Sequence, residues 1–392
     1  MTPAFLWWCM LLAPVCVWAQ GLQLGSLPAE PILTIHLTVP DKNYAAITHM
    51  MPSGTDIPVV DGRIGSQPVQ VEVLRTRGKT SAGFRRKSYL VQLQEPFTFT
   101  SQGMTCKLQN FFLLNLALDP HYVHNYFALS CFEQLGLYRL FKKYVEVKIN
   151  GHTEGVYLLT QRPVDYALQD RQAAVVIRRL NSSTIDSEKT AAQVDPAFVK
   201  LCEKTFKDIA VVCRKLEGQA LVSALDNVLA LDEYFDWLAW NYWVRNGDYT
   251  DEVYYYTPLE PRRFRLIPWD FDDIFATAPH EGQTRREQQL GEQMIFSSED
   301  ILDRAIAKDT LLYSRYLQRL KALLQSLADP VRLAKLLEKQ YAALIPFCAQ
   351  ADVITMSAHD RHPTTQAEME DHLKNMYTHL LRRAESLLKR LP

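Results

Sequence analysis

The chain has little cysteine, little glycine and no surplus of charge of either sign. Its 392 residues include seven cysteines and fifteen glycines. Cys9 and Cys16 lie in the apolar start, and the remaining five cysteines are Cys106, Cys131, Cys202, Cys213 and Cys348. Five thiols leave one over and are too sparse for a disulfide scaffold. The pairing among the five is open; Cys202 and Cys213 flank a helical stretch and are one candidate pair, and their spacing matches no zinc motif. Lysine and arginine total 43 against 44 acids, a formal net charge of -1, which excludes nucleic-acid binding driven by bulk charge. Past the first residues no apolar run is long enough to span a bilayer. Internal repeats and low-complexity linkers are also lacking, so the chain reads as globular and long enough for two lobes or two small domains.

What is present begins with a targeting segment. Phe5 to Ala13 is a short apolar run, and Val17-Trp18-Ala19 puts small residues where a signal peptidase reads. Cleavage near Ala19 is expected, leaving a protein without a transmembrane segment outside the cytoplasm, secreted or periplasmic.

The next stretch is strand-like. Ile32 to Val39 and Pro68 to Arg75 alternate apolar and polar residues, Ser88 to Leu93 reads as a third strand, and Phe112 to Asn115 as a short buried one. Asp119 is placed to cap a helix that stops at Gly136. Tyr144 to Ile149, Asn150-Gly151 and Gly155 to Leu159 form a hairpin signature. From Asp195 onward helices dominate, including an aromatic one over Leu231 to Arg245, with breaks at Asp329-Pro330 and around His359 to Pro363. Trp237, Trp240 and Trp243, three apart, read as core. The fold class is therefore α+β, with a β-rich half over 20–165 and a helical half over 166–392 that holds one hairpin.

Two stretches carry chemistry. Arg245-Asn246-Gly247-Asp248-Tyr249-Thr250-Asp251-Glu252 and Pro268-Trp269-Asp270-Phe271-Asp272-Asp273 flank strand-like segments at Val253 to Tyr256 and Phe264 to Ile267. A hairpin there brings both sets of carboxylates to one end, and clustered carboxylates repel unless a cation or proton lies between them. On the residues alone, this reads equally as a site for Mg²⁺ or Mn²⁺ or as a solvated acidic rim. The second stretch, Arg75 to Lys87, holds six basic residues, two glycines and three hydroxyl residues, with no acid. Glycine backbone and guanidinium groups suit phosphate, although the spacing is neither that of a Walker A loop nor that of the Gly-rich loop of ordinary protein kinases. Together the basic loop and the acidic hairpin are the two halves that a nucleotide–metal site needs.

In order along the chain, these segments resemble the spore coat protein H (CotH) family of atypical secreted kinases. Arg77-Gly78-Lys79-Thr80-Ser81 through Arg86-Lys87-Ser88-Tyr89 is similar to that family's Arg-Gly-Asn-Ser-Ser…Lys-Lys-Ser-Tyr signature. Tyr144 to Gly151 with Gly155-Val156-Tyr157 resembles its hairpin, and Pro268-Trp269-Asp270-Phe271-Asp272 resembles its Pro-Trp-Asp-x-Asp motif. The resemblance implies a kinase-like bilobal fold that uses ATP and Mg²⁺ or Mn²⁺ to phosphorylate protein Ser or Thr. It implies Lys87, Arg77, Ser81 and Arg178 as nucleotide contacts, with Glu133 as a partner for Lys87. It also implies Asp248 as the catalytic residue, and Asp270, Asp272 and Glu252 as metal ligands. Glu252 stands where the family often has Asn, and Lys79-Thr80 replaces Asn-Ser. Two other readings remain open: a non-catalytic surface or binding protein on the same fold, and a small-molecule kinase.

Overall fold

The computed structural model describes residues 21–392 other than 50, 79, 180–184, 192, 252 and 355–363, and leaves the side chains of 81, 120, 185–189, 351 and 352 undescribed. The expected signal segment, the break near His359 and Glu252 therefore lie outside the described residues. The strands are β1 (Leu33–Thr38), β2 (Asp56–Ile57), β3 (Asp61–Ile64), β4 (Gln67–Val69), β5 (Val71–Arg77), β6 (Ser88–Ser101), β7 (Met104–Leu114), β8 (Lys142–Ile149), β9 (His152–Gln161), β10 (Val175–Arg179), β11 (Ile185–Thr190), β12 (Val253–Thr257) and β13 (Arg265–Ile267). The first nine form one sheet in the order β2-β5-β6-β7-β9-β8-β1-β3-β4, and the last four form another in the order β11-β10-β12-β13. Every pairing is antiparallel except that of β1 with β8.

The helices are α1 (Asp41–Ile47), α2 (His124–Gln134), α3 (Pro163–Asp165), α4 (Pro196–Lys215), α5 (Gly218–Val228), α6 (Leu231–Val244), α7 (Gln283–Leu290), α8 (Ile301–Lys308), α9 (Thr310–Leu327), α10 (Pro330–Cys348), α11 (Ala351–Ile354) and α12 (Gln366–Leu388). The architecture is thus α+β, β-rich first and helical second, as the hydrophobic periodicities indicate.

Local chemistry explains the elements. Asn150 and Gly151 both have positive φ, 51° and 81°, the geometry of a type I′ turn, and so join β8 to β9 tightly. Gln102 and Gly103, at 46° and 79°, do the same between β6 and β7. These two strands are one long hairpin with a register shift between Gln92 and Phe97, where Glu95-Pro96 interrupts the alternation; the two short strands expected at Ser88 and Phe112 are its ends. Asp195, Asp300, Asp309 and Asp329 each accept a backbone N–H at the start of a helix, the usual role of an N-cap carboxylate.

The candidate Cys202–Cys213 bridge does not exist, and both are free thiols. The two cysteines lie eleven positions apart on the single helix α4, which separates them by roughly 16 Å, far beyond disulfide reach. The β-rich half also holds α1, a short helix that the sequence pattern does not announce. The main core is aromatic: Trp237, Trp240 and Trp243 of α6 are all at most 1 % exposed. No helix of the described residues is long and apolar enough to cross a membrane.

Candidate active site

The loop after α6 begins with Arg245, which ends the helix in the left-handed region at φ 58°. Asn246 then bonds to the Asn241 side chain, and its Oδ1 accepts the Asp248 N–H at 3.3 Å. Tyr249 is buried, and its hydroxyl donates to Asp303 Oδ2 at 2.8 Å. The other oxygen of Asp303 accepts from Tyr234 at 2.7 Å, and Thr250 donates to Glu299 at 2.9 Å. Burial pushes the Asp303 carboxyl up to about 7, with the nearby Asp300 adding to the shift. The Asp248 loop is therefore clamped from behind by hydrogen bonds to the buried Asp303 and the half-buried Glu299.

The second acidic segment approaches at Gly247, whose N–H donates to Asp273 O at 3.0 Å. A Cβ at position 247 would overlap the Asp273 carboxylate and stand 3.0 Å from Ala276 Cβ, so only glycine permits this approach. His280 lies between the segments, its Nδ1 3.1 Å from Asp248 Oδ1 and its Nε2 3.4 Å from Asp273 Oδ2. Asp270 has a φ of 65°, a conformation that costs a non-glycine residue energy and is found preferentially at functional sites.

These segments form one wall of a cleft of about 540 Å³ that Asp248, Asp251, Asp270, Asp272 and Asp273 all line. The other wall comes from the large sheet. Arg77 and Ser88 are a cross-strand pair, and both face the cleft, as do Gly78, Thr80 and the segment Leu114–Leu118. The Arg77 guanidinium lies 4.0 Å from the centroid of the Phe112 ring and 5.7 Å from that of Trp269, so one cation touches a ring from each half of the molecule. Asn115 shapes the floor: its N–H donates to Ser88 Oγ at 3.1 Å and its amide to Arg86 O at 2.6 Å. Asp119 accepts the N–H groups of His124 and Asn125 at 2.6 and 2.8 Å. It thus caps α2 and sets Asn125 in the cleft wall.

The carboxylates perturb one another. Burial raises Asp248 to about 7, opposed by His280 and aided by the charges of Asp251, Asp270 and Asp273. Burial raises Asp272 to about 6, with Asp119, Asp273 and Asp248 adding to the shift and a hydrogen bond with Asp270 opposing it. Burial is the leading cause in both cases, and the neighbouring like charges reinforce it.

Of the expected site residues, Arg77, Asp248, Asp270 and Asp272 share this cleft. Lys87 does not line it. It is fully buried, and its amine donates to the carbonyls of Ala82, at 3.1 Å, and Phe84. Nor does Glu133 pair with it; that carboxylate binds Arg139 at 2.7 Å and Lys142 at 3.1 Å. Arg178, on β10, sits 5.6 Å from the Tyr254 ring rather than in the cleft wall. Ser81 falls in the short turn Thr80–Gly83, and its side chain is among those not described. The cleft is also lined by Asp251 and Asp273, which belong to the two acidic stretches but had no role of their own assigned, and by His280 and Asn125, which the sequence reading missed. Asp251 and Asp273 adjoin expected residues, whereas nothing local marks His280 or Asn125. Among the described residues, no three His, Cys, Asp or Glu side chains converge to hold a metal ion by themselves.

Comparison with known proteins bears out the resemblance to the family. The family model described as CotH kinase protein matches residues 74–387. Inner spore coat protein H of Bacillus subtilis is 23 % identical over 292 residues, covering 69 % of this chain and 76 % of that protein. The crystal structure of a Helicobacter pylori proinflammatory kinase, CtkA, covers 76 % of this chain and 94 % of its own, at 10 % identity and a TM-score of 0.32, a likeness too slight to bear on function.

Proposed function

Because the chain belongs to the CotH kinase family, we propose that it is an atypical protein kinase. It transfers the γ-phosphoryl group of ATP to Ser or Thr hydroxyls of proteins, its own among the eligible acceptors, outside the cytoplasm. The observation that carries this reading is the gathering of Arg77, Asp248, Asp270 and Asp272 on the walls of one cleft.

The donor set suits a divalent cation. Mg²⁺ and Mn²⁺ in phosphoryl-transfer sites take one or two carboxylates, with phosphate oxygens and water completing the shell, so an all-protein cage is not required. Asp270 and Asp272 would hold the ion, which supplies positive charge against the phosphate oxygens. Glu252, the third expected ligand, lies outside the described residues.

Arg77 contributes charge-assisted donors to the phosphates, and the contacting rings of Phe112 and Trp269 against which it packs keep the guanidinium in place. Asp248, with a pKa near neutrality, accepts the proton of the attacking hydroxyl. The acceptor oxygen–phosphorus bond forms as the bond to the β-phosphate oxygen breaks, and ADP leaves. Asp303, through Tyr249, fixes the loop in position, and positioning is most of what this chemistry asks of a protein.

The test is incubation with γ-labelled ATP and Mn²⁺, comparing the wild type with Asp270→Asn. Asn tolerates the left-handed backbone and keeps the shape, so the variant removes charge alone. Label on Ser or Thr that falls roughly a hundredfold or more in the variant supports the reading. A folded wild type that neither binds nucleotide nor yields labelled product refutes it. That outcome would favour a non-catalytic surface protein, to which the inward-turned Lys87 amine also points.

A further inference from the structure

A second polar cavity, about 230 Å³, lies where the end of α6, α7 with its following loop, and the end of α12 meet. Four guanidiniums line it: Arg245, Arg286, Arg383 and Arg390. Three of them are tied to backbone carbonyls. Arg245 donates to Thr277 O. Arg383 donates to Trp243 O at 2.7 Å and Tyr242 O at 2.8 Å. Arg286, only 9 % exposed, donates to Gly291, Gln293 and Ile295 carbonyls. Carbonyl dipoles orient these cations without neutralising them.

Glu287 and Glu292 are the acids on the cavity wall, so four positive charges against two negative leave a surplus of two. Gathering like charges in a partly buried pocket is costly unless a counter-charge joins them. Burial, with the like charges of Arg245 and Arg390, lowers the Arg383 pKa, against the opposing effect of Tyr242. A surplus of two matches the charge of a phosphate monoester, about -1.5 to -2 at neutral pH, and guanidinium forks fit its oxygens bidentately. Sites for drug-sized ligands start near roughly 300 Å³, so this smaller space suits a phosphorylated side chain or a free phosphate ion rather than a nucleotide.

We propose that this cavity is a phosphate-monoester pocket, in which Arg245, Arg383 and Arg390 bind the phosphoryl oxygens and Arg286 braces the wall. Arg245 directly precedes the loop that carries Asp248, so the pocket adjoins the proposed active site without sharing its lining. The assignment rests on the pocket's own charges and stands or falls separately from the kinase reading.

The experiment is calorimetric titration of the full chain with O-phospho-L-serine, inorganic phosphate and L-serine, using wild type, Arg390→Gln and Arg390→Glu. Arg390 is exposed and holds no described backbone group, so both variants keep the fold. Phosphoserine binding that weakens about threefold in R390Q and about tenfold or more in R390E, with none for L-serine, supports the pocket. Tighter binding of the ester than of free phosphate identifies a phosphorylated side chain as the ligand, and equal binding identifies the free ion. Absence of binding, or equal binding by R390E and wild type, overturns the assignment, whatever the labelled-ATP assay returns.

Discussion

The clearest quantitative consequence of the cleft is a steep dependence of divalent-cation affinity on pH. A carboxyl that holds a proton cannot take a metal ion until the proton leaves. Asp272 and Asp248 have pKa values raised to about 6 and about 7, so each is protonated in acid well above its unfolded range. The sign follows: affinity is full above pH 7 and is lost as the pH falls through 7 and then 6. Each pH unit below a pKa reduces the ionised fraction roughly tenfold. Between pH 8 and pH 5, Asp272, a proposed ligand, then accounts for a loss of roughly tenfold, and Asp248, the proposed proton acceptor, adds to it only through the loss of its negative charge beside the ion. Mn²⁺ titration followed by the paramagnetic signal of the free ion measures this directly. Calorimetry at pH 6 in two buffers of different ionisation enthalpy counts the protons released. Asp248→Asn removes its own share and leaves a change of roughly tenfold. An affinity flat within about threefold over this range, or binding without proton release, would refute the account of the carboxylate cluster.

Two further outcomes follow from the loop geometry. Gly247→Ala forces the Asp273 carboxylate away from His280; it is expected to cut phosphoryl transfer about tenfold or more while costing about 1–3 kcal/mol in chemical denaturation. Tyr249→Phe deletes the 2.8 Å hydrogen bond to Asp303. It should destabilise the protein by about 1.5–3 kcal/mol and lower kcat more than it raises KM, because the bond positions the loop rather than touching substrate.

Periodicity and turn chemistry made much of the fold legible. The β8–β9 hairpin could be read because Asn150-Gly151 satisfies a local requirement for positive φ, which no distant contact has to supply. A capping role for Asp119 was equally visible, but Val123 occupies the N-cap position: the chain passes through the positive φ of His121 and Tyr122 before α2 begins at His124, and the Asp119 carboxylate reaches the first turn from four residues upstream of the N-cap. The disulfide pairing failed although a helical stretch between Cys202 and Cys213 could be read, because both cysteines lie on that one continuous helix, which holds them apart. Within the cleft, Asp248, Asp270 and Asp272 were marked by their positions at the ends of strands and beside Trp269. Side-chain direction was harder to read. In an extended chain neighbours point to opposite faces, so with Ser88 in the cleft wall, Lys87 is turned the other way. His280 reaches the site from a loop that carries no pattern, and its role emerges only when Gly247 lets Asp273 close in.

The placement of Arg77 against the contacting pair of Phe112 and Trp269 has an optical consequence. Trp237, Trp240 and Trp243 are sealed in the core, whereas Trp269 is the described tryptophan in the cleft wall. Its indole touches the β-rich half through Phe112 and shares the guanidinium that links both halves. Any change in the gap between the halves therefore alters the surroundings of a native fluorophore. The cleft carries its own light-emitting gauge of how far apart its walls stand, with no label added.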